Sequence, residues 1–188
     1  MKKSPMYTEQ TQNFREQLAN QLSKNTINCL VDFVAGHPES LTALFALIDD
    51  PAPRVNWRAA WACKHLGLRK PELLLPYREE LTGKACRYTQ PGIRRELLSL
   101  LYRLPVGEPF PVRLFDLCLE RMLAPDETVA VQALCIKMAY KLSLKQPELL
   151  PELTLYLEHA DPELYPKGTV ATLRKTRLLV QKKLRPNR

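Results

Sequence analysis

The chain of 188 residues has few of the residues and patterns that mark an enzyme active site or a metal centre. It has only three histidines, His37, His65 and His159, and none of them has Cys, Asp or Glu at metal-ligand spacing. No G-x-S-x-G, G-x-x-x-x-G-K-[ST] or G-x-G-x-x-G motif occurs in the sequence. We therefore predict no catalytic residue, no bound metal and no cofactor.

Long apolar segments and paired cysteines are also missing. Charge or proline interrupts every apolar run well before the ~20 residues that a membrane-spanning helix needs, and polar residues follow the two N-terminal lysines. The five cysteines form no C-x-x-C pair, and their mostly apolar surroundings favour reduced thiols packed as small hydrophobic residues. These features predict a soluble protein of the cytoplasm that makes no contact with a membrane.

Alternation of apolar and polar residues with period two is nearly absent, so the sequence predicts no sheet. The six glycines fall between stretches of helical periodicity or at their ends. Eight of the prolines stand at or near the predicted starts of helices, where the missing N–H is harmless. An all-α fold is the expectation.

The stretch from Asp50 to Leu66 contains five apolar positions whose spacing returns twice downstream. The three sets, related by shifts of 38 residues, are Val55, Ala59, Ala62, Cys63 and Leu66; Ile93, Leu97, Leu100, Leu101 and Leu104; and Val131, Cys135, Met138, Ala139 and Leu142. In each set the offsets describe one stripe of an α-helix. Three helices therefore present the same apolar face at a fixed period, which indicates a repeat architecture.

The repeat extends to about five helical hairpins within one predicted domain, residues 1–188. Its parts are an N-terminal hairpin over 7–36, regular repeats over 38–160 and a basic C-terminal capping helix over 161–188. The predicted helices span about 7–22, 26–36, 38–49, 51–66, 71–83, 91–105, 110–124, 127–143, 147–160 and 168–184. Asp50 is the predicted N-cap of the fourth helix, and Pro76 and Pro151 should kink two helices or separate their first turns.

Short proline-led motifs give the chain a resemblance to the HEAT and armadillo-like helical repeats. The residues that carry it are Pro71-Glu72-Leu73-Leu74-Leu75-Pro76, Pro147-Glu148-Leu149-Leu150-Pro151, and Asp50 ahead of Val55, Arg58, Ala59 and Ala60. The resemblance covers residues 38 to about 160. It implies a right-handed α-α superhelix, a solenoid in which the second helix of each hairpin lines the concave side.

Aromatic and basic residues recur on the second helices, opposite the apolar stripe. They lie in the sets Trp57, Arg58, Trp61, Lys64 and His65; Arg95, Glu96, Ser99, Tyr102 and Arg103; and Ala133, Leu134, Lys137, Tyr140 and Lys141. With the concave placement that the resemblance implies, they form one surface on which Glu96 is the only acid. Such a surface suits an acidic peptide, or a phosphate backbone with stacked bases. Alternatively, Trp57 and Trp61 pack against the neighbouring helix pair.

The last 22 residues carry the whole excess of positive charge. The segment contains no acid, and its basic residues are Lys167, Arg174, Lys175, Arg177, Lys182, Lys183, Arg185 and Arg188. Elsewhere acidic and basic residues balance, so the net charge of +8 comes from this segment. It either binds an anionic partner or forms a solvated face with cations near a helix C-terminus.

These features favour a non-enzymatic interaction module that holds a protein or peptide partner on its concave face. The first alternative is nucleic-acid binding through the aromatic and basic face together with the basic C-terminal helix. The second is an enzyme similar to the HEAT-like DNA glycosylases that remove alkylated bases, for which Trp57, Trp61 and Arg58 are the matching residue types. That family places a catalytic aspartate among the aromatics, whereas the second helices here offer only Glu96.

The apolar stripe yields a direct stability prediction. Replacing Leu101 by Ala should lower the free energy of unfolding by about 2–5 kcal/mol, because the substitution leaves a cavity in the core. Replacing Lys64 by Ala, on the opposite face, should cost less than about 0.5 kcal/mol. Urea unfolding of both variants measures the difference, and equal losses would show that the stripe is misplaced.

Overall fold

The computed structural model describes residues 5–20 and 23–184. Leu22, at the end of the first predicted helix, and the predicted basic residues Arg185 and Arg188 lie outside the described residues. Within these ranges the chain forms helices and no strand, so the predicted all-α fold is confirmed.

Ten α-helices follow one another along the described chain. They are α1 Pro5–Ala19, α2 Lys24–Gly36, α3 Leu41–Ala46, α4 Pro53–Arg69, α5 Arg78–Arg87, α6 Pro91–Arg103, α7 Val112–Arg121, α8 Val129–Lys145, α9 Leu150–His159 and α10 Lys167–Leu184. Short 3₁₀ helices occupy Pro38–Ser40, Leu47–Asp49, Pro71–Tyr77, Pro147–Leu149 and Pro162–Leu164. The predicted separation of the first turns is confirmed in two places. A 3₁₀ helix that contains Pro76 precedes α5, and another 3₁₀ helix precedes α9, whose first turn contains Pro151.

The chain divides into two compact units, Met1–Arg78 and Glu79–Arg188. The first unit contains the consecutive pairs α1/α2 and α3/α4. The second contains the pairs α5/α6, α7/α8 and α9/α10, with its boundary one residue inside α5. The organisation as one domain stays a prediction.

In the first unit α4 packs against α1, α2 and α3. Phe14, Leu18, Val34 and Ile48 are buried along with the predicted stripe of α4. Asp50 does not cap α4, so the predicted N-cap is wrong. The helix begins at Pro53 after Ala52, which makes no side-chain cap, and Asp50 lies two residues too early to reach the first turn. Its carboxylate instead accepts the Ala52 N–H at 2.9 Å and pairs with Arg15 Nε at 2.7 Å.

The second unit is arranged around α8, which contacts α6, α7, α9 and α10. Both apolar sets predicted for this unit are buried, Ile93 to Leu104 on and after α6 and Val131 to Leu142 on α8. The set on α4 in the first unit is buried as well. The predicted apolar stripe is therefore confirmed at all of its positions.

Buried polar side chains join successive pairs within the second unit. The Arg94 guanidinium pairs with the Glu127 carboxylate, and its Nε donates to the Tyr88 carbonyl at 3.0 Å. One shift of 38 residues further, Gln132 accepts from Thr169 Oγ1 at 2.6 Å and donates to the Ala124 carbonyl at 2.8 Å. Because the side chains of Arg94, Glu127, Gln132 and Thr169 are almost fully buried, each depends on its partners to offset desolvation.

Loss of the Arg94 partner should therefore be costly. Replacing Arg94 by Met should lower the free energy of unfolding by about 3–5 kcal/mol, because it leaves the Glu127 charge buried and uncompensated. Urea unfolding measures the loss, with exposed Arg103→Met on the same helix as the control at under about 1 kcal/mol. The double variant Arg94→Met/Glu127→Met should recover most of the stability, and a double variant no more stable than the single one would contradict the assignment.

Candidate interaction surface

The helices α6, α8 and α10 form a layer in the second unit, with α8 packed between the other two. Glu96 is the only acid in these three helices, and its side chain is buried at 2% exposure beside Arg95, with the two charged groups 2.7 Å apart. Their remaining charged side chains are all basic. The exposed surface of this layer is therefore positive.

The first helices of the same unit show the opposite pattern. Exposed acids on α5, α7 and α9 are Glu79, Glu80, Asp116, Glu120, Glu152 and Glu158. Further exposed acids lie in the connecting segments, at Glu108, Asp126, Glu148, Asp161 and Glu163. Among the α-helices of the unit, exposed acids occur only on α5, α7 and α9, whereas α6, α8 and α10 expose bases without acids. Because like charges placed together cost energy, such segregation on the surface of a fold suits a partner of the opposite sign.

The repeat aligns the residues of this basic surface from helix to helix. We name it the basic face and define it by Arg95, Tyr102, Arg103, Lys137, Tyr140, Lys175 and Lys182, all exposed or half-buried. Lys137 and Lys175 occupy equivalent positions 38 residues apart, and so do Tyr102 and Tyr140. Cations and tyrosine rings therefore alternate across the layer, as a surface that binds acidic and partly apolar segments requires.

Lys141 does not belong to the exposed part of this surface. Its Nζ donates to the carbonyls of Tyr102, at 2.6 Å, and of Leu104, and it lies 5.5 Å from the centre of the Tyr102 ring. Burial lowers the pKa of this ammonium group. Since Tyr102 and Leu104 stand at the C-terminal end of α6, Lys141 satisfies carbonyl groups that have no partner inside that helix.

Two further predicted binding residues serve the same purpose. Arg58 is buried, and its guanidinium donates to the carbonyls of Leu18 and, at 2.7 Å, of Asn20, at the end of α1. Burial lowers the pKa of Arg58, and the charge of Arg54 adds to the effect. Arg177 donates to the carbonyls of Leu157 and Ala160 at the end of α9. The predicted exposure of Arg58 is wrong, because the end of another helix binds its donors.

In the first unit the aromatic residues of α4 form a column. The rings of Trp57 and Trp61 stack at 5.8 Å with 13° between their planes, and His65 meets Trp61 edge-on at 5.5 Å. All three rings and Lys64 are half-buried, so the tryptophans pack on one another while part of each ring remains accessible. The accessible parts of these rings form an aromatic surface on α4, in addition to the tyrosines of the basic face.

The remaining predicted bases of the C-terminal segment lie on α10. Arg174, Lys175, Lys182 and Lys183 are exposed. One more shift of 38 residues from Tyr140 and Lys141 leads to Leu178 and Leu179, which are 67% and 38% exposed. Neither leucine was among the predicted surface residues, although the repeat period itself places them there. Two leucines thus extend the apolar component of the layer.

The surroundings of the tryptophans bear on the glycosylase-like alternative, which calls for an acid near them. The helix that carries Trp57 and Trp61 contains no Asp or Glu, and Arg58 is committed to the end of α1. In the described residues no three side chains of His, Cys, Asp or Glu are arranged to hold a metal ion.

A search of the described helices for membrane spans finds none that suffices alone. One bent pair, Lys24–Gly36 with Pro38–Asp49 at 117°, meets the criteria of length and composition when its two parts are taken together.

Comparison with known proteins identifies a repeat family. A family model described as a HEAT repeat domain matches residues 14–181, which include every described pair of helices in part or in full. No curated protein and no solved structure matches the chain.

The two lysines Lys137 and Lys141, one helical turn apart on α8, should behave differently. Replacing Lys141 by Met should lower the free energy of unfolding by about 1–3 kcal/mol, because the end of α6 loses a charged donor. Replacing exposed Lys137 by Met should change it by under about 0.5 kcal/mol. Urea unfolding compares the two variants, and a loss for Lys137→Met as large as that for Lys141→Met would refute this division of roles.

Proposed function

The chain belongs to the HEAT repeat domain family, and from this membership we propose that it is a non-enzymatic scaffold that binds an acidic segment of a protein partner on the basic face. HEAT repeat domains serve generally as protein-interaction scaffolds, and the family is typically non-enzymatic. Their stacked helices provide extended surfaces on which a partner makes contacts over several repeats.

The observation that carries the proposal is the separation of charge within the second unit. Exposed acids occupy α5, α7 and α9, whereas α6, α8 and α10 expose bases alone. A surface of one sign raises the association rate of an oppositely charged partner and disfavours partners of like charge. An acidic protein segment is the partner class that this surface selects.

Tyrosine and leucine side chains give the basic face more than charge. Tyr102 is 38% exposed and Tyr140 is half-buried, and Leu178, at the next equivalent position, is 67% exposed. Tyrosine is enriched among the residues that contribute most to binding energy, since it buries a large area at a small cost in conformational entropy. The proposed partner segment therefore combines acidic residues with apolar ones.

Nucleic acid is the second candidate, and the exposed bases of α10 are the observation that favours it. Arg174, Lys175, Lys182 and Lys183 lie on a helix without a single acid. Tyrosine rings beside such cations can also stack on bases. The two candidates differ in salt dependence, because each neutralised phosphate releases condensed counterions.

Charge reversal tests the protein-partner proposal. Immobilised protein should recover a defined protein partner from cell extract after nuclease treatment, and Lys137→Glu/Lys175→Glu should abolish that recovery by placing acids where the partner's acids bind. The control Arg87→Glu/Arg113→Glu makes the same change of net charge on α5 and α7 and should leave recovery intact. Circular dichroism and thermal unfolding establish that both double variants fold.

Three results separate the candidates. Equal loss of recovery in both double variants would show that binding depends on net charge and not on the basic face, and would contradict the proposal. Release of the bound material by nuclease would support nucleic acid, and duplex DNA should then bind with a log–log salt slope of about −3 to −5, from roughly four to six phosphate contacts. Recovery of nothing at about 50 mM salt would contradict both candidates, because electrostatic binding is strongest at low salt.

A further inference from the structure

The first and the last described pairs of helices each carry an open groove. At the N-terminal end the walls come from α1, α2 and the turn after α2. Phe33 lies in this groove at 43% exposure, edge-on to Phe14 at 5.9 Å and stacked on His37 at 4.5 Å. An exposed phenylalanine in an open groove is a candidate contact for a partner.

At the C-terminal end the groove lies between α9 and α10. Its walls come from the last pair and are formed by Thr154, Leu157, Glu158, Arg177, Val180, Gln181 and Leu184. Leu184 is 50% exposed at the rim. The last pair, like the first, therefore exposes apolar groups in its groove.

The outer stripe of α10 beside this groove is basic and apolar. Residues Lys167, Arg174, Leu178 and Gln181 follow one another at intervals of seven, four and three, so they share one side of the helix. All four residues are exposed, and Leu178, the large hydrophobic residue of the stripe, is 67% exposed. This side of α10 therefore offers two cations and a leucine next to the groove.

The two ends are complementary in charge. The N-terminal groove has the exposed carboxylates of Glu9 and Glu39 on its walls and contains no lysine or arginine. The C-terminal stripe supplies Lys167 and Arg174, and α10 carries no acid; the one acid of the adjoining groove is Glu158 of α9. Apolar groups occur on both sides, Phe33 at one end and Leu178 and Leu184 at the other.

We propose that the N-terminal groove of one copy of this chain binds the outer side of α10 of a second copy. The contact continues the packing of pair upon pair from one molecule to the next, covers Phe33 with the leucines and brings Lys167 and Arg174 to Glu9 and Glu39. It joins two different surfaces, so each added copy leaves one end of each kind unoccupied. The products are head-to-tail chains that lengthen with concentration.

Sedimentation velocity of the full chain from about 1 µM to about 1 mM tests the proposal, since small interfaces associate in this range. The average mass should rise continuously with concentration and fall again at high salt, because ion pairs at the contact are screened. Phe33→Glu should block the N-terminal end and Leu178→Glu/Leu184→Glu the C-terminal end. Each variant alone should remain monomeric.

An equimolar mixture of the two blocked variants is the decisive sample. Each retains one intact end of the opposite kind, so the mixture should form a one-to-one dimer and nothing larger. Association of either variant alone, or no dimer in the mixture, would overturn the head-to-tail assignment. A wild-type chain that stays monomeric over the whole range would overturn the proposal itself.

A second pair of variants covers the case in which replacing an apolar residue by Glu unfolds the chain. Glu9→Lys/Glu39→Lys and Lys167→Glu/Arg174→Glu change exposed residues only. Each should weaken self-association, and mixing the two should restore it, because the reversed ends are complementary to one another as well. Weakening without restoration would contradict the pairing of these four side chains.

Discussion

Backbone carbonyl groups at the C-terminal ends of helices have no partner within their own helix, and much of this structure depends on how they obtain one. Arg58 supplies donors to the end of α1, Lys141 to the end of α6 and Arg177 to the end of α9. For the first two the donor comes from about one repeat further along the chain. A cation in this place fixes the register of successive helices and is favoured by the negative end of the helix dipole.

The basic residues of the second unit therefore fall into two groups with different roles. Some basic side chains, such as those of Lys141 and Arg94, bind groups of the same chain, and packing determines their positions. The others, including Lys137 and Lys175, stay exposed on helices that carry no exposed acid. A fold needs no such excess for its own stability, because mutual repulsion of like charges opposes compactness. Under the proposed function, the excess serves to bind a partner that is itself acidic.

The sequence was sufficient to predict the fold because apolar residues recur at one period, and burial of an apolar stripe is the dominant contribution to helix packing. It could not assign a role to each base. Arg58 and Lys137 stand on equivalent faces in the pattern, yet only contacts across the fold show that Arg58 reaches the end of α1. The error at Asp50 has a local cause, since the two residues that separate it from Pro53 decide which N–H its carboxylate reaches.

The division between bases that hold the fold and bases that face a partner is the central claim, and lysine reactivity measures it directly. The native protein can be treated with a limiting amount of an amine-reactive label and the modification rate of each lysine followed by mass spectrometry. Lys137 and Lys175 should be modified rapidly, because their ammonium groups are exposed. Lys141 should be modified much more slowly, since its Nζ donates to two carbonyls and is half-buried. Equal rates at Lys141 and Lys137 would contradict the account.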